Sequence, residues 1–305
     1  MSAVSLAGII LTFVAIVGVG WLLRATGRLS AEDARPINAL ILYVGLPAFI
    51  IRAVHGARLD ARLAVVVGIA WAVFAAVLLV SLAVARALKL PPAVTGGFLL
   101  AATLGNTGYI GYPVAQAFLG ENALPRAIFY DVFGTVGALL LVGLVLAEHY
   151  GEGEVKRQHP VREILGFPAV IALAVGIVTR PIVFPSLVSQ GLEILASLVV
   201  PLIMISVGLS LRAGVLRRWA VPLSALVVLR LLLAPLLALA FGRVVLGSDS
   251  QALRLITLQA GMPAMMLTLI VGARFELDTD FIASAILVTT VASALSIPLI
   301  QALAF

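Results

Sequence analysis

The sequence contains no cysteine, which excludes disulfides, thiolate metal sites and cysteine nucleophiles. It is also short of charge: Asp, Glu, Lys and Arg make up 11% of its 305 residues, against 62% hydrophobic residues and a mean hydropathy of +1.18. So little polar surface cannot clothe a soluble globule of this size. Strand-like alternation is missing, which excludes a lipid-facing β-barrel pattern. The three histidines, His55, His149 and His159, fall in joints between apolar runs and lack metal-ligand spacing. No metal and no cofactor is expected.

What is present are apolar runs about as long as the roughly 20 residues a helix needs to cross a roughly 30 Å hydrocarbon core. Cut at charged and Pro/Gly-rich joints, the chain yields ten spans, near 4–23, 37–54, 62–85, 93–119, 124–147, 161–179, 186–211, 219–241, 252–273 and 280–304. The fold class expected is an all-α polytopic membrane protein. The first run, Val4 to Leu23, has no basic residue before it and no small-residue cleavage site after it, so it reads as a retained helix.

The net charge of +6 is scattered singly or in pairs between the runs, without a basic stripe or interleaved aromatics. It does not suggest nucleic acid. Topology accounts for it better. Twelve of the twenty Lys and Arg residues fall in joints on one side, seven on the other, and Arg230 lies inside a span. The basic side holds the longest hydrophilic joint, Glu148 to Pro160, which is therefore expected to be cytoplasmic with both termini outside.

That joint divides the chain into 1–150 and 161–305, with a short loop at 151–160. Five spans per half makes the second half enter the membrane in the opposite sense, the condition for an inverted repeat. Two segment pairs support it. YVGLPAFIIRAVHGARLDARL (43–63) parallels VVPLIMISVGLSLRAGVLRRW (199–219), with Pro47 and Pro201 separated by 154 residues, and GNTGYIGYPVAQAFLGENALPRAIFY (105–130) parallels AGMPAMMLTLIVGARFELDTDFIASA (260–285) at an offset of about 155.

The fourth span is interrupted by Gly105-Asn106-Thr107-Gly108, Gly111 and Pro113, and the ninth by Gly261-Met262-Pro263. Glycine loosens a helix and proline removes a donor while suiting the first turn of a new one. Broken helices persist at membrane depth only where protein or a watery cavity satisfies the freed backbone, and matched breaks in two halves point to a binding site. If the spans cross there, the amino ends of their second half-helices favour an anion. Asn106 ranks first as a ligand, because its amide can donate to a carboxylate or accept from a protonated one. Thr107, Gln116 and Gln259 add polar contacts. The bland reading has Asn106 capping a break and the prolines only kinking helices.

Buried charges come next. Asp131 lies seven residues past Leu124, roughly 10 Å below the outer surface at 1.5 Å per residue. It is either a proton or cation carrier or half of a structural pair with Arg230. Tyr43, Tyr109, Tyr112 and Tyr130 either line a path or populate the membrane interfaces.

The GLP of the second span (Gly45, Leu46, Pro47), the GNTGYIGYP of the fourth (Asn106, Thr107, Gly111, Pro113) and the QAGMPA of the ninth (Gln259, Met262, Pro263) resemble, in order and spacing, the auxin efflux carrier family of permeases. That family includes the plant PIN auxin exporters and bacterial relatives often assigned organic acids. The resemblance implies ten helices in two inverted repeats, a scaffold from spans 1, 2, 6 and 7, a transport unit from spans 3–5 and 8–10 with spans 4 and 9 crossing, and commonly a homodimer in the cell membrane. It implies that Asn106, Pro113 and Pro263 border the substrate, with Met262 beside them. The central loop is far shorter than in the long plant exporters, so their phosphorylation control is not carried over. No acidic residue sits in either crossover motif, which leaves the driving ion open.

The function expected is secondary transport of small organic anions, among them carboxylates, dicarboxylates and auxin-like acids, by alternating access, without enzymatic activity. A channel or receptor on the same fold is the rival. An intramembrane aspartyl protease would need a second carboxylate beside Tyr130-Asp131, yet no GxGD sequence follows and Asp249 lies in a polar joint. Orientation is directly testable in a cysteine-free chain. A single His159→Cys substitution is expected to escape a membrane-impermeant maleimide in intact cells and to be labelled in inverted vesicles; the opposite pattern would reverse the topology.

Overall fold

Prolines and glycines at the joints set where the helices begin and end. The computed structural model describes residues 15–57, 62–153, 165–210, 218–247 and 250–305. The start of the first expected span, residues 4–14, and most of the central loop, 154–160, lie outside the described residues. The described chain is helical throughout, and its extended pairing is a single antiparallel bridge between Gly105 and Ala264.

In chain order the helices are α1 (Ala15–Ala25), α2 (Ala34–His55), α3 (Arg62–Ala87), α4 (Pro92–Thr103), α5 (Gly111–Leu119), α6 (Glu121–Tyr150), α7 (Pro168–Val178), α8 (Ser186–Leu209), α9 (Ala220–Leu246), α10 (Ser250–Ala260), α11 (Leu267–Arg274) and α12 (Thr279–Ala304). Six of them, α2, α3, α6, α8, α9 and α12, are long and apolar enough to cross a membrane; α1, α4 and α7 are shorter apolar helices. Pro92 and Pro168 occupy the first helical position of α4 and α7, where the missing N–H is not needed and the fixed φ favours a helix. Exposed Leu79, Val183, Leu187, Val244, Leu295 and Leu303 are the apolar exterior that lipid, and not water, can solvate.

By internal contacts the chain forms two compact units. One comprises the described residues of Met1–Leu59, Tyr112–Pro125 and Ile164–Leu211; the other those of Asp60–Gly111, Arg126–Glu163 and Arg212–Phe305. In the first, α2 packs on α7 and α8, and polar tethers join helices distant in sequence. Ser206 donates to Asn38 at 2.7 Å, Arg24 to the Leu209 carbonyl at 3.0 Å, and Arg52 pairs with Glu121 at 2.9 Å. Helices α1 and α8 approach until main chains touch. A Cβ on Gly20 would stand 2.2 Å from the Ile205 carbonyl oxygen, and one on Gly208 would stand 2.1 Å from that of Val17. Small residues permit such approach where lipid supplies no hydrophobic drive between helices.

The second unit has two apolar cores. Phe98, Leu99, Trp219, Leu226, Phe281 and Ala285 form one; Val66, Val73, Tyr130, Ala238, Ile256 and Ala260 form the other. Helix α6 is widened by π-turns at Tyr130–Val136 and Leu139–Gly143, and α9 by one at Leu229–Leu233. Such turns occur often at functional sites. Their loosened carbonyls take other donors: the Trp71 indole donates to the Phe133 carbonyl at 2.9 Å.

The α1–α8 contact predicts opposite signs for two alanines on one helix. Gly208→Ala drives a Cβ into backbone and is expected to cost about 1–3 kcal/mol. Gly191→Ala meets nothing within 4 Å and is expected to stabilise by about 0.5–1 kcal/mol through helix propensity. Thermal unfolding of the two purified variants checks both.

Candidate functional site

Helix α4 stops because Leu104 turns extended, with φ −99° and ψ 112°, and α10 stops one residue before Gly261-Met262-Pro263. The extended residues that follow pair with each other. The Asn106 amide donates to the Pro263 carbonyl at 2.7 Å, and the Met265 amide to the Leu104 carbonyl at 2.9 Å. The Ala264 amide goes to the Thr289 hydroxyl of α12 at 3.0 Å. The Asn106 carbonyl accepts from Ile110 at 3.2 Å and from Gly111 at 2.9 Å, which turns the chain into α5. The two extended breaks thus cross and pair.

Arg230 closes the crossing from α9. Its buried guanidinium donates through Nε to the Met262 carbonyl at 2.9 Å, through Nη1 to the Thr103 carbonyl at 2.8 Å and more weakly to that of Ala102 at 3.5 Å, and through Nη2 to that of Ala260. These are the last carbonyls of α4 and α10 and the middle of the second break. Room is made by Gly105, where a Cβ would stand 2.9 Å from Arg230 Nη2. The π-turn carrying Arg230 precedes Pro235, which offers no N–H to the Leu231 carbonyl, and this favours a widened turn there.

Asp131, also buried, accepts from the Thr107 hydroxyl at 2.5 Å. Its carboxylate lies so close to Gly108 that a Cβ there would be 2.9 Å from Oδ2. Thr103, Gly105, Thr107, Tyr130, Thr135 and Arg230 contribute to the wall of a small cleft beside the crossing.

Two buried amides have no protein partner. Asn106 Nδ2 and both amide atoms of Gln259 lack hydrogen bonds, at 3% and 0% relative exposure of the two residues. Buried polar groups are nearly always paired, by protein, water or ion, which makes these atoms candidates for contact with a bound group. Gln259 lies against Gly111, where a Cβ would fall 2.2 Å from its Oε1.

Of the residues singled out in the sequence, Asn106, Thr107, Gln259, Met262, Pro263, Asp131 and Arg230 come together in the second unit. Arg230 is held by carbonyls and Asp131 by Thr107. Pro113 and Gln116 belong to the first unit, where Gln116 donates to Glu121 at 3.2 Å. Tyr112 is buried there, stacked on Phe49 with centroids 5.7 Å apart, while Tyr43 is exposed. His55 stacks on Phe184, and among the described residues no three His, Asp or Glu side chains form a metal-binding group. Thr289 was not anticipated from the sequence; a threonine in an apolar run carries no local mark of the amide it receives.

Residues 5–301 match the family of membrane transport proteins, and the architecture is that of a helical membrane transporter. The chain belongs to this family, the auxin efflux carrier family of permeases. It is 30% identical over 95% of its length to an uncharacterized transporter of Methanocaldococcus jannaschii, covering 96% of that protein. It is 31% identical to an uncharacterized transporter of Methanothermobacter thermautotrophicus, with 95% of each chain covered. A Rhizobium meliloti protein named "Putative malonate transporter" is 24% identical over 94% of this chain and 92% of its own.

The contact of Gln259 with Gly111 separates fold from function. In Gly111→Ala the added Cβ meets the end of a flexible side chain, so the helices are expected to stay intact while the Gln259 amide is displaced. Unchanged thermal unfolding with a raised transport KM is the expected result.

Proposed function

We propose that the chain carries small organic anions, mono- or dicarboxylates, across the cell membrane by alternating access, with the substrate held at the helix crossing. The carrying observation is the pair of buried, unpartnered amides, Asn106 Nδ2 and Gln259, at two breaks that meet. Amide N–H groups donate to a carboxylate, and the Gln259 carbonyl oxygen can accept from a protonated acid. The amino ends of α5 and α11, which follow the breaks, add partial positive charge. The name of the Rhizobium meliloti relative, "Putative malonate transporter", supports the same substrate class, malonate being a dicarboxylate.

In this reading α4 with α5 and α10 with α11 each count as one interrupted span, making ten spans in two inverted halves, 1–150 and 161–305, with termini outside and the 151–160 loop cytoplasmic. The contact units support a scaffold of spans 1, 2, 6 and 7 and a transport unit of spans 3–5 and 8–10, except that Tyr112–Pro125 groups with the former. Movement of one unit relative to the other then exposes the site to each side in turn. A homodimer in the lipid bilayer is the assembly proposed, and Met262 and Pro263 shape the site while Thr107 supports it.

The test is uptake by proteoliposomes offered malonate, other dicarboxylates, monocarboxylates and indole acids. Saturable uptake of one class is expected. Hydrogen bonds to charged groups are worth about 1.5–3 kcal/mol, so Asn106→Ala and Gln259→Ala should each raise KM roughly ten- to hundredfold. An unchanged KM in both variants would remove the site from the crossing, and unitary currents in a planar bilayer would make the protein a channel.

A further inference from the structure

Helix carboxyl ends carry roughly half a negative charge each, and unwound carbonyls at broken helices in transporters commonly coordinate a free cation. Two such ends meet here. The last carbonyls of α4 and α10, those of Thr103 and Ala260, face one group together with the Met262 carbonyl from the second break. That group is the guanidinium of Arg230. One positive charge set against two half charges balances, and Nε, Nη1 and Nη2 all donate to these acceptors.

We propose that Arg230 is a tethered resident cation of the crossing: it occupies the position that a free monovalent metal ion would otherwise fill, so binding and transport at this site need no Na+ or K+ at these carbonyls. Three observations on different elements carry this. The guanidinium is 3% exposed and spends its donors on main-chain carbonyls. Gly105 leaves the space it fills, since a Cβ there would lie 2.9 Å from Nη2 and 3.2 Å from Cζ. The π-turn at Leu229–Leu233 widens α9 at the residue that carries it. Arginine suits the role, because its charge is permanent and its fork of five donors is rigid. A lysine would present a single point charge to acceptors that come from two helices and a break.

The role differs from substrate binding. Arg230 acts on the anion through the main chain that it holds, which makes it a positioning residue. It holds the stretch that presents Asn106 and Gln259, and by neutralising the carboxyl ends it keeps acceptors from repelling an anion nearby. The statement about transport rests on the carboxylate reading above, whereas the statement about cation occupancy does not.

The two are separable by experiment. Purified wild type, Arg230→Ala and Arg230→Lys are compared by thermal unfolding in choline, Na+ and K+ buffers of equal ionic strength, each with and without guanidinium or methylguanidinium at low millimolar concentration, and with urea as a neutral control. The wild-type Tm is expected to be indifferent to the choice of cation. Arg230→Ala is expected to unfold roughly 10 °C lower, in line with loss of a buried charged network, and to recover at least half of that shift with guanidinium but none with urea. Uptake, where the substrate is known, should proceed at the same rate in Na+-free choline buffer for the wild type and be rescued by guanidinium in Arg230→Ala. If Arg230→Ala does not fold, the uncharged Arg230→Gln supplies the same readout with a smaller shift, while Arg230→Lys, which keeps a charge at the site, is expected to gain nothing from guanidinium. The proposal is overturned by an Arg230→Ala protein as stable as wild type, by rescue no better than that of urea, or by a saturable Na+ requirement in the wild type. Failure of every carboxylate to be transported, with guanidinium rescue of Tm intact, would refute the substrate reading and leave the tethered cation standing.

Discussion

A main-chain carbonyl in hydrocarbon must find a donor, and a helix that stops inside a membrane leaves up to four carbonyls without one. The second unit is built around that constraint. Helices α4 and α10 both stop at buried breaks, and several carbonyls and amides there go to partners outside their own helix: the Leu104 and Pro263 carbonyls to amides of the opposite break, the Ala264 amide to Thr289, the Thr103, Ala260 and Met262 carbonyls to Arg230. The extended pairing of the two breaks, the widened turn in α9 and the glycine at 105 follow from this one requirement.

The satisfaction is uneven, and the unevenness gives the site its chemical sign. Carbonyl acceptors at the crossing are largely consumed by the guanidinium and by opposing amides. The side-chain amide nitrogens of Asn106 and Gln259 are left over, and so is the Gln259 oxygen. Unpaired N–H donors outnumber the one unpaired amide oxygen there, which is what the proposed anion-carrying function calls for.

Hydropathy alone located the long helices, because 20-residue apolar runs have few other fates: the expected 186–211 and 280–304 became Ser186–Leu209 and Thr279–Ala304. The breaks were legible too, since Gly105, Gly108, Gly111, Gly261 and Pro263 are poor residues for a continuous helix. What local pattern could not supply was pairing across the chain. Arg230 stands 32 residues from Met262 and 127 from Thr103, and nothing in an apolar run says whether a lone arginine seeks a carboxylate or a cluster of carbonyls. The same limit applied to Asp131, whose Thr107 partner is 24 residues away in the break after α4, and to the donation of Gln116 to Glu121. The π-turn at Tyr130–Val136 was invisible because its Phe133 carbonyl takes the indole of Trp71, 62 residues away.

Gly105 is a glycine because Arg230 is an arginine. Its missing methyl is the space in which the guanidinium lies, so a side chain at 105 crowds the group that the carbonyls of α4, α10 and the second break share, and a smaller residue at 230 leaves those carbonyls unpaired. Neither position can drift by itself. In descendants of this chain the two are expected to be inherited as one character, lost or exchanged together, and a chain holding only half of the pair has to find another way to end its helices within the bilayer.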